Sequence, residues 1–299
     1  MCGIVGLFIK NRALEPELGR LTSQMLKTMT ERGPDSAGFA VYNGAGKGQR
    51  KMTVRGLSDG NIGPFEARFL EIIGGSGEVH KRHDHVILTY AAEHEPAVRA
   101  YVDMVADGVA FASSGESIEL YKGVGLPEQV ASCFALEKMS GTHAIGHTRM
   151  ATESAVTVAG AHPFSTGPDQ CLVHNGSLSN HNSLRRQLVR EGLRFETEND
   201  SEVAAGYLSW RLSKGEKLDQ ALKASLNDLD GFYTFVVGTR DGFAVLRDPV
   251  ACKPAVMVET DDYVAFASEY RAFAGLPGIA SAEVFEPEPQ RVYHWEHAA

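Results

Sequence analysis

The sequence has 299 residues, 43% of them hydrophobic and 22% charged, which suits one large globular domain, alone or with an insertion, around a substantial core. Its formal charge of -9 and the lack of a basic cluster speak against nucleic acid, whose phosphates need a basic face. No segment approaches the roughly 18 apolar residues of a membrane span, and Met1-Cys2-Gly3-Ile4-Val5 has neither the basic start nor the long apolar core of a signal peptide.

The first four residues carry the most reactive arrangement in the chain. Removal of Met1 would leave Cys2 as the N-terminal residue. An α-amine of that kind titrates at about 7.7–8.0, beside a thiol at about 8.5. The amine can then take the thiol proton near neutral pH, so that one residue holds both nucleophile and base. Taken alone, Cys2 also fits a small apolar residue entering a buried strand, and Gly3 to Ile9 reads as such a strand. The other cysteines, Cys133, Cys171 and Cys252, show no CxxC spacing. That scatter fits a reducing cytoplasm better than a disulfide framework or a zinc site.

Leu14, Leu18, Leu21, Met25, Leu26 and Met29 recur at helical spacing and predict an amphipathic helix over about 14–30. Glu31 to Gly38 breaks that pattern with Gly33-Pro34 and Asp35-Ser36, the chemistry of a tight loop. This loop can bring Arg32 beside the chain terminus, or leave it as a solvated turn residue. A strand resumes at Phe39 to Tyr42. Residues 44 to about 140 are the least legible: a hairpin turn from Asn43-Gly44 into Met52 to Arg55, helices over 66–73 and 96–106, and strands over 85–92 and 109–113. His80, His83, His85 and His94 lie close in sequence, but fit no standard metal-ligand spacing.

Chemistry is densest from Gly141 to Val203. Thr142 to Arg149 reads as a strand with Arg149 at its end, and His162-Pro163-Phe164 follows a loop. Cys171 to His174 reads as a strand running into a turn at Asn175-Gly176. A helix is expected over 180–191, with Asn180 near its cap. Another runs to about Leu212, capped by Asp200 or Ser201. The remainder alternates strand and turn to a final strand near 291–295. Strands at both ends with helices between them predict two packed sheets flanked by helices.

The segments Met1 to Gly6, Arg32 to Gly38, Gly146 to Thr152, His162-Pro163-Phe164, His174-Asn175-Gly176 and Asn199 to Glu202 stand in the order found in class II glutamine amidotransferases. Arg247-Asp248-Pro249 and Ala267-Ser268-Glu269 resemble that family as well. The resemblance covers residues 1–43 and about 141–270. It implies an α+β fold, the four-layer α-β-β-α sandwich of N-terminal-nucleophile hydrolases, forming one domain over 1–299 with an inserted segment at about 44–140. It also implies roles. Cys2 attacks the side-chain amide of L-glutamine, while Asn175 and the Gly176 N–H hold the oxyanion. Arg149 grips the α-carboxylate and Asp200 the α-ammonium. Thr152 and His162 support the pocket, and Arg32 steadies the terminal residue. No metal and no cofactor is expected in this chain.

The sequence ends at Ala299, soon after the glutaminase-like region. This leads us to expect an ammonia-accepting synthase on separate partner subunits, which would carry any flavin or iron-sulfur cluster. The closest resemblance is to stand-alone subunits of glutamate-synthase-like and N-methylglutamate-synthase-like complexes. Two alternatives stay open beside hydrolysis of glutamine: handling of a glutamyl or methylamine transfer within such a complex, and a catalytically silent scaffold.

Overall fold

The computed structural model describes residues 2–105, 108–151 and 155–297. The chain opens with β1 (Gly3–Ile9), every residue of which is buried. Helix α1 (Leu18–Thr28) starts later than its apolar spacing predicts, because residues 12–17 form a 3-10 turn that contains Pro16. Proline offers no N–H to the helix ladder. Strand β2 (Ser36–Tyr42) begins three residues earlier than expected, directly after the Gly33-Pro34 loop.

The next strand, β3 (Gln49–Arg55), pairs with other partners instead of closing a hairpin on β2. It is followed by α2 (Ile62–Ile72), β4 (Glu78–Arg82), β5 (His85–Ala91), α3 (Glu95–Met104) and β6 (Ala110–Gly115). The chain then returns through β7 (Ile118–Val124) and α4 (Pro127–Cys133) to β8 (His143–Arg149). Its second half holds β9 (Phe164–Gly167), β10 (Gln170–Leu178), α5 (His181–Arg190), α6 (Asp200–Ser213), α7 (Leu218–Asp228), β11 (Gly231–Gly238) and β12 (Gly242–Arg247). The last strands are β13 (Val256–Glu259), β14 (Tyr263–Ala267), β15 (Val284–Phe285) and β16 (Tyr293–Glu296).

Among the described residues these strands form three sheets. The first, ordered β15-β13-β14-β1-β8-β2-β7, faces the second, ordered β16-β12-β11-β10-β9. Ile4, Phe8, Ile145, Val173, Val236 and Phe266 fill the space between them. Leu18, Leu21, Met25 and Leu26 of α1 cover the outer face of the first sheet, and α5, α6 and α7 cover the second through Leu188, Val203, Leu208 and Leu222. Three apolar interfaces thus separate four layers, α-β-β-α, as the resemblance implied. The third sheet, β4-β5-β3-β6, packs α2 and α3 around its own core of Met52, Phe69, Leu88 and Tyr101. Among the described residues, no helix is long and apolar enough to cross a membrane.

Two polar clamps seat this third sheet on the sandwich. The Lys51 ammonium of β3 donates to Glu119 Oε1 of β7 at 2.7 Å, and Tyr121 donates to Glu119 Oε2 at 2.6 Å. Asp169 accepts from the N–H groups of Glu116, Ser117 and Ile118, which fixes the β6–β7 turn.

Candidate active site

The site forms where β1 begins. Cys2 is partly buried, and its main-chain carbonyl accepts from Arg32 Nε at 3.0 Å and from Asn175 Nδ2 at 3.2 Å. Arg32, 8% exposed, also donates to Glu269 Oε1 at 3.0 Å. The guanidinium therefore lies between the carbonyl it holds and a carboxylate that neutralises it. Ser268 anchors the same strand, its Oγ accepting from Ile4 N at 2.9 Å and its own N–H donating to Ile4 O at 3.0 Å. At Gly3 an added Cβ would lie 2.7 Å from Met29 Cβ and 2.8 Å from Thr148 Oγ1. Only glycine lets β1 approach its neighbours this closely.

Asn175 and Gly176 stand inside β10, which stays paired with β11 as far as Leu178. The turn expected here is continuous strand. Gly176 has φ +149°, and a Cβ there would meet Phe232 O at 2.0 Å, so glycine lets β10 pass this close to β11 in unbroken register. Arg247 and Asp248 brace the loop behind it. Asp248 accepts from Tyr233 N at 3.1 Å and Val250 N at 2.8 Å, while Arg247 donates to Pro287 O and Lys253 O.

Arg149 ends β8. Gly3 pairs with Thr148, so one further step of the same register sets Cys2 opposite Arg149. Its carbonyl accepts from Asp35 N at 3.1 Å, Asp35 Oδ2 accepts from Ala151 N at 2.8 Å, and its Nη1 reaches Ala155 O at 3.5 Å. Asp200 is the first residue of α6, yet Asn199 caps that helix by accepting from Ser201 N at 2.9 Å. Asn at the cap leaves the Asp200 carboxylate available elsewhere. Asp200 Oδ2 accepts from Leu178 N at 2.9 Å, and Oδ1 lies 3.8 Å from His174 Nδ1.

Three buried imidazoles connect these groups. His162 stacks on His147 with ring centroids 4.1 Å apart, and His147 Nε2 lies 3.2 Å from His174 O. Burial holds all three below the ordinary imidazole value: His147 down to about 3, and His162 well below it, with the neighbouring His147 adding to the effect. For His174 burial prevails over the opposing pull of Asp200. They are neutral rings. Both His162 ring nitrogens lack a hydrogen-bond partner among the described residues.

The structure thus joins Cys2, Arg32 and Asn175 by direct contacts. Gly176 follows in the same strand, Arg149 comes beside Cys2 by register, and Asp200 and His162 are linked through His174 and His147. Thr152 lies outside the described residues. Sequence reasoning gave no role to Ser268, Glu269, Asp35, His147 or His174, although the segments that hold them were singled out. The grouping of the other histidines has a different basis: His83 and His85 both approach Asp84 Oδ1, at 3.0 and 2.9 Å.

Residues 147–275 match the family described as "Glutamine amidotransferase domain". Over 297 residues the chain is 57% identical to the "Glutamine amidotransferase-like protein GlxB" of Rhizobium meliloti (strain 1021), covering 99% of each. The chain belongs to the class II glutamine amidotransferase family. Within it, an amidophosphoribosyltransferase of Methanocaldococcus jannaschii is 32% identical over 174 residues, 57% of this chain and 37% of that protein. The fold also matches a solved structure described as the allosteric regulatory enzyme of purine biosynthesis. There the TM-score is 0.65 at 23% identity, with 99% of this chain and 47% of the other covered. The chain spans about half the length of that structure.

Proposed function

We propose that this chain hydrolyses L-glutamine to glutamate and ammonia. After removal of Met1, the Cys2 sulfur attacks the side-chain amide carbon. The freed α-amine takes the thiol proton and returns it to the departing nitrogen as ammonia leaves. Water then cleaves the γ-glutamyl thioester and restores the thiol. Asn175 Nδ2 and the Gly176 N–H stabilise the tetrahedral oxyanion. Arg149 binds the α-carboxylate and Asp200 the α-ammonium, while Thr152 and His162 shape the pocket. A buried, neutral His162 fits positioning rather than proton transfer. Arg32 fixes the Cys2 carbonyl and thereby aims the sulfur.

The observation that carries this reading is the double hold on the Cys2 carbonyl by Arg32 and Asn175. It supports Asn175 as an oxyanion donor close to the attacking residue. The ammonia would pass to a cytoplasmic partner synthase, with the third-sheet region as the inserted part of one amidotransferase domain. Exposed apolar side chains adjoin the site in sequence, among them Met150 after Arg149, Val250 after the Asp248 brace and Tyr270 after Glu269, as a docking rim requires.

Intact mass should show loss of one methionine, a glutamine-derived chloroketone should label Cys2, and free glutamine should release ammonia where N-acylated glutamine does not. Retained Met1, or labelling unchanged in Cys2→Ala, would overturn the assignment.

A further inference from the structure

A cavity of about 850 Å³ lies away from Cys2, between the third-sheet region and the sandwich. Its walls come from α3 and β6 on one side and from β7, β9 and residues 192–202 on the other. That volume is typical of small-molecule sites. Lys122 of β7 lines it, only 6% exposed, with its ammonium 4.3 Å above the Phe164 ring. Among the described residues, no carboxylate lies within ion-pair distance of Lys122.

The lining acids are all engaged elsewhere. Glu202 accepts from Glu196 N and Thr197 N at 2.7 Å each, and Glu95 from the Tyr90 hydroxyl at 2.6 Å. Asp103 pairs with Arg99 at 3.2 Å, and Glu196 with Arg55. A buried amine over an aromatic face, with no carboxylate at ion-pair distance, is a group whose charged form an incoming anion would stabilise.

We propose that this cavity binds a small monocarboxylic acid, its carboxylate on Lys122 and its apolar body against Phe164, Phe111 and Phe195. Of the two guanidinium groups in the lining, Arg99 is paired with Asp103 and Arg194 is exposed, so the buried cation is one compact ammonium, which suits one carboxylate rather than a phosphate. The four engaged acids around the walls also disfavour a dianion. The site stands independently of the reaction proposed for Cys2, since its readout is binding.

Burial, with the Arg55 charge adding to it, pushes the Lys122 ammonium down to about 7. The other groups facing it are Glu196 and Glu202, Cys171 of β10, and the His85 and His162 rings. A carboxylate arriving beside Lys122 would favour the charged form, so binding near pH 7.5 must take up a proton.

The test is calorimetric titration of the full chain with 3-phenylpropionate, which lacks the α-ammonium of an amino acid, in buffers of different ionisation enthalpy. Saturable one-to-one binding with proton uptake is expected, weakening as pH rises from 6.5 to 8.5 and falling at least tenfold in Lys122→Met. Binding without proton uptake in the wild-type chain would overturn the proposal even if that variant failed to fold. So would equal affinity in Lys122→Met, or tighter binding of inorganic phosphate.

Discussion

The sandwich and the third-sheet region are built around apolar cores of similar character, yet they use buried polar groups differently. In the sandwich, Arg32 and Asn175 meet on the Cys2 carbonyl at the start of β1, while Asp200 and three buried imidazoles are linked to one another nearby in sequence and register. In the third-sheet region a buried charge sits on the interior strand β3, where Lys51 pairs with Glu119 of β7 and joins the sheet to the sandwich. Polar burial is costly wherever it occurs. Where it gathers around an approachable backbone it marks chemistry; where it spans two sheets it marks attachment.

The largest effect that would separate these two uses is in activity. Cys2→Ala should reduce ammonia release from glutamine to background while leaving the urea midpoint unchanged, because Cys2 contributes little to the core. A large drop in stability would mean that the terminus is structural. Attachment should respond in the opposite way. Glu119→Gln leaves the Lys51 ammonium buried without its carboxylate, a loss of about 3–5 kcal/mol in urea denaturation. A change below about 1 kcal/mol would show that the pair does not seat the third sheet. Asn175→Ala should lower kcat by about 10²–10³, the usual effect of losing one oxyanion donor, with KM little changed. A shift confined to KM would make Asn175 a binding residue.

The most gradual effect is in acid. His143 and His147 are held down to about 3 by burial, and His162 and His174 are lowered for the same reason. An unfolded histidine titrates near 6.5. Below that pH the unfolded chain binds more protons than the folded one, so stability is full above about 6.5 and declines as pH falls toward 3. His143 and His147 each contribute up to about 1.4 kcal/mol per pH unit within that window, and His162 and His174 act in the same direction. Urea titrations between pH 7.5 and 4.5 measure the slope, and a flat profile would mean that these rings titrate in the fold as they do in the unfolded chain.

Glu119 reinforces the trend lower down. Burial alone would raise its carboxyl, but the Lys51 charge and the hydrogen bonds from Lys51 and Tyr121 leave it below the ordinary value. Its contribution is present above the unfolded value of about 4.3 and is lost as pH falls through the lower folded one.

Much of the sandwich was legible because its signals are local. An apolar run predicted β1, helical spacing predicted α1, β8 was read over 142–149, and the order of short motifs singled out the segments that meet at the Cys2 carbonyl. Strand β7 was not read, since Glu119 and Lys122 interrupt its apolar run and their burial depends on Lys51 and on Phe164, both distant in sequence. Asn175-Gly176 looked like a turn because that dipeptide usually is one. Pairing with Thr234 and Tyr233 keeps it in the strand instead. Asn199 took the helix cap assigned to Asp200 or Ser201, a choice among adjacent polar residues that the sequence leaves nearly equal.

The sequence by itself determined the chemistry on offer: a cysteine one residue from the terminus, an amide beside a glycine, and an arginine and an aspartate suited to the two ends of an amino acid. These are properties of residue types. Only the tertiary structure decided that Arg32 and Asn175 meet on one carbonyl, that the histidines are neutral, and that Lys122 faces a cavity without a counter-ion. Each of these depends on long-range packing, which sets distance and desolvation and cannot be read from neighbours in the chain.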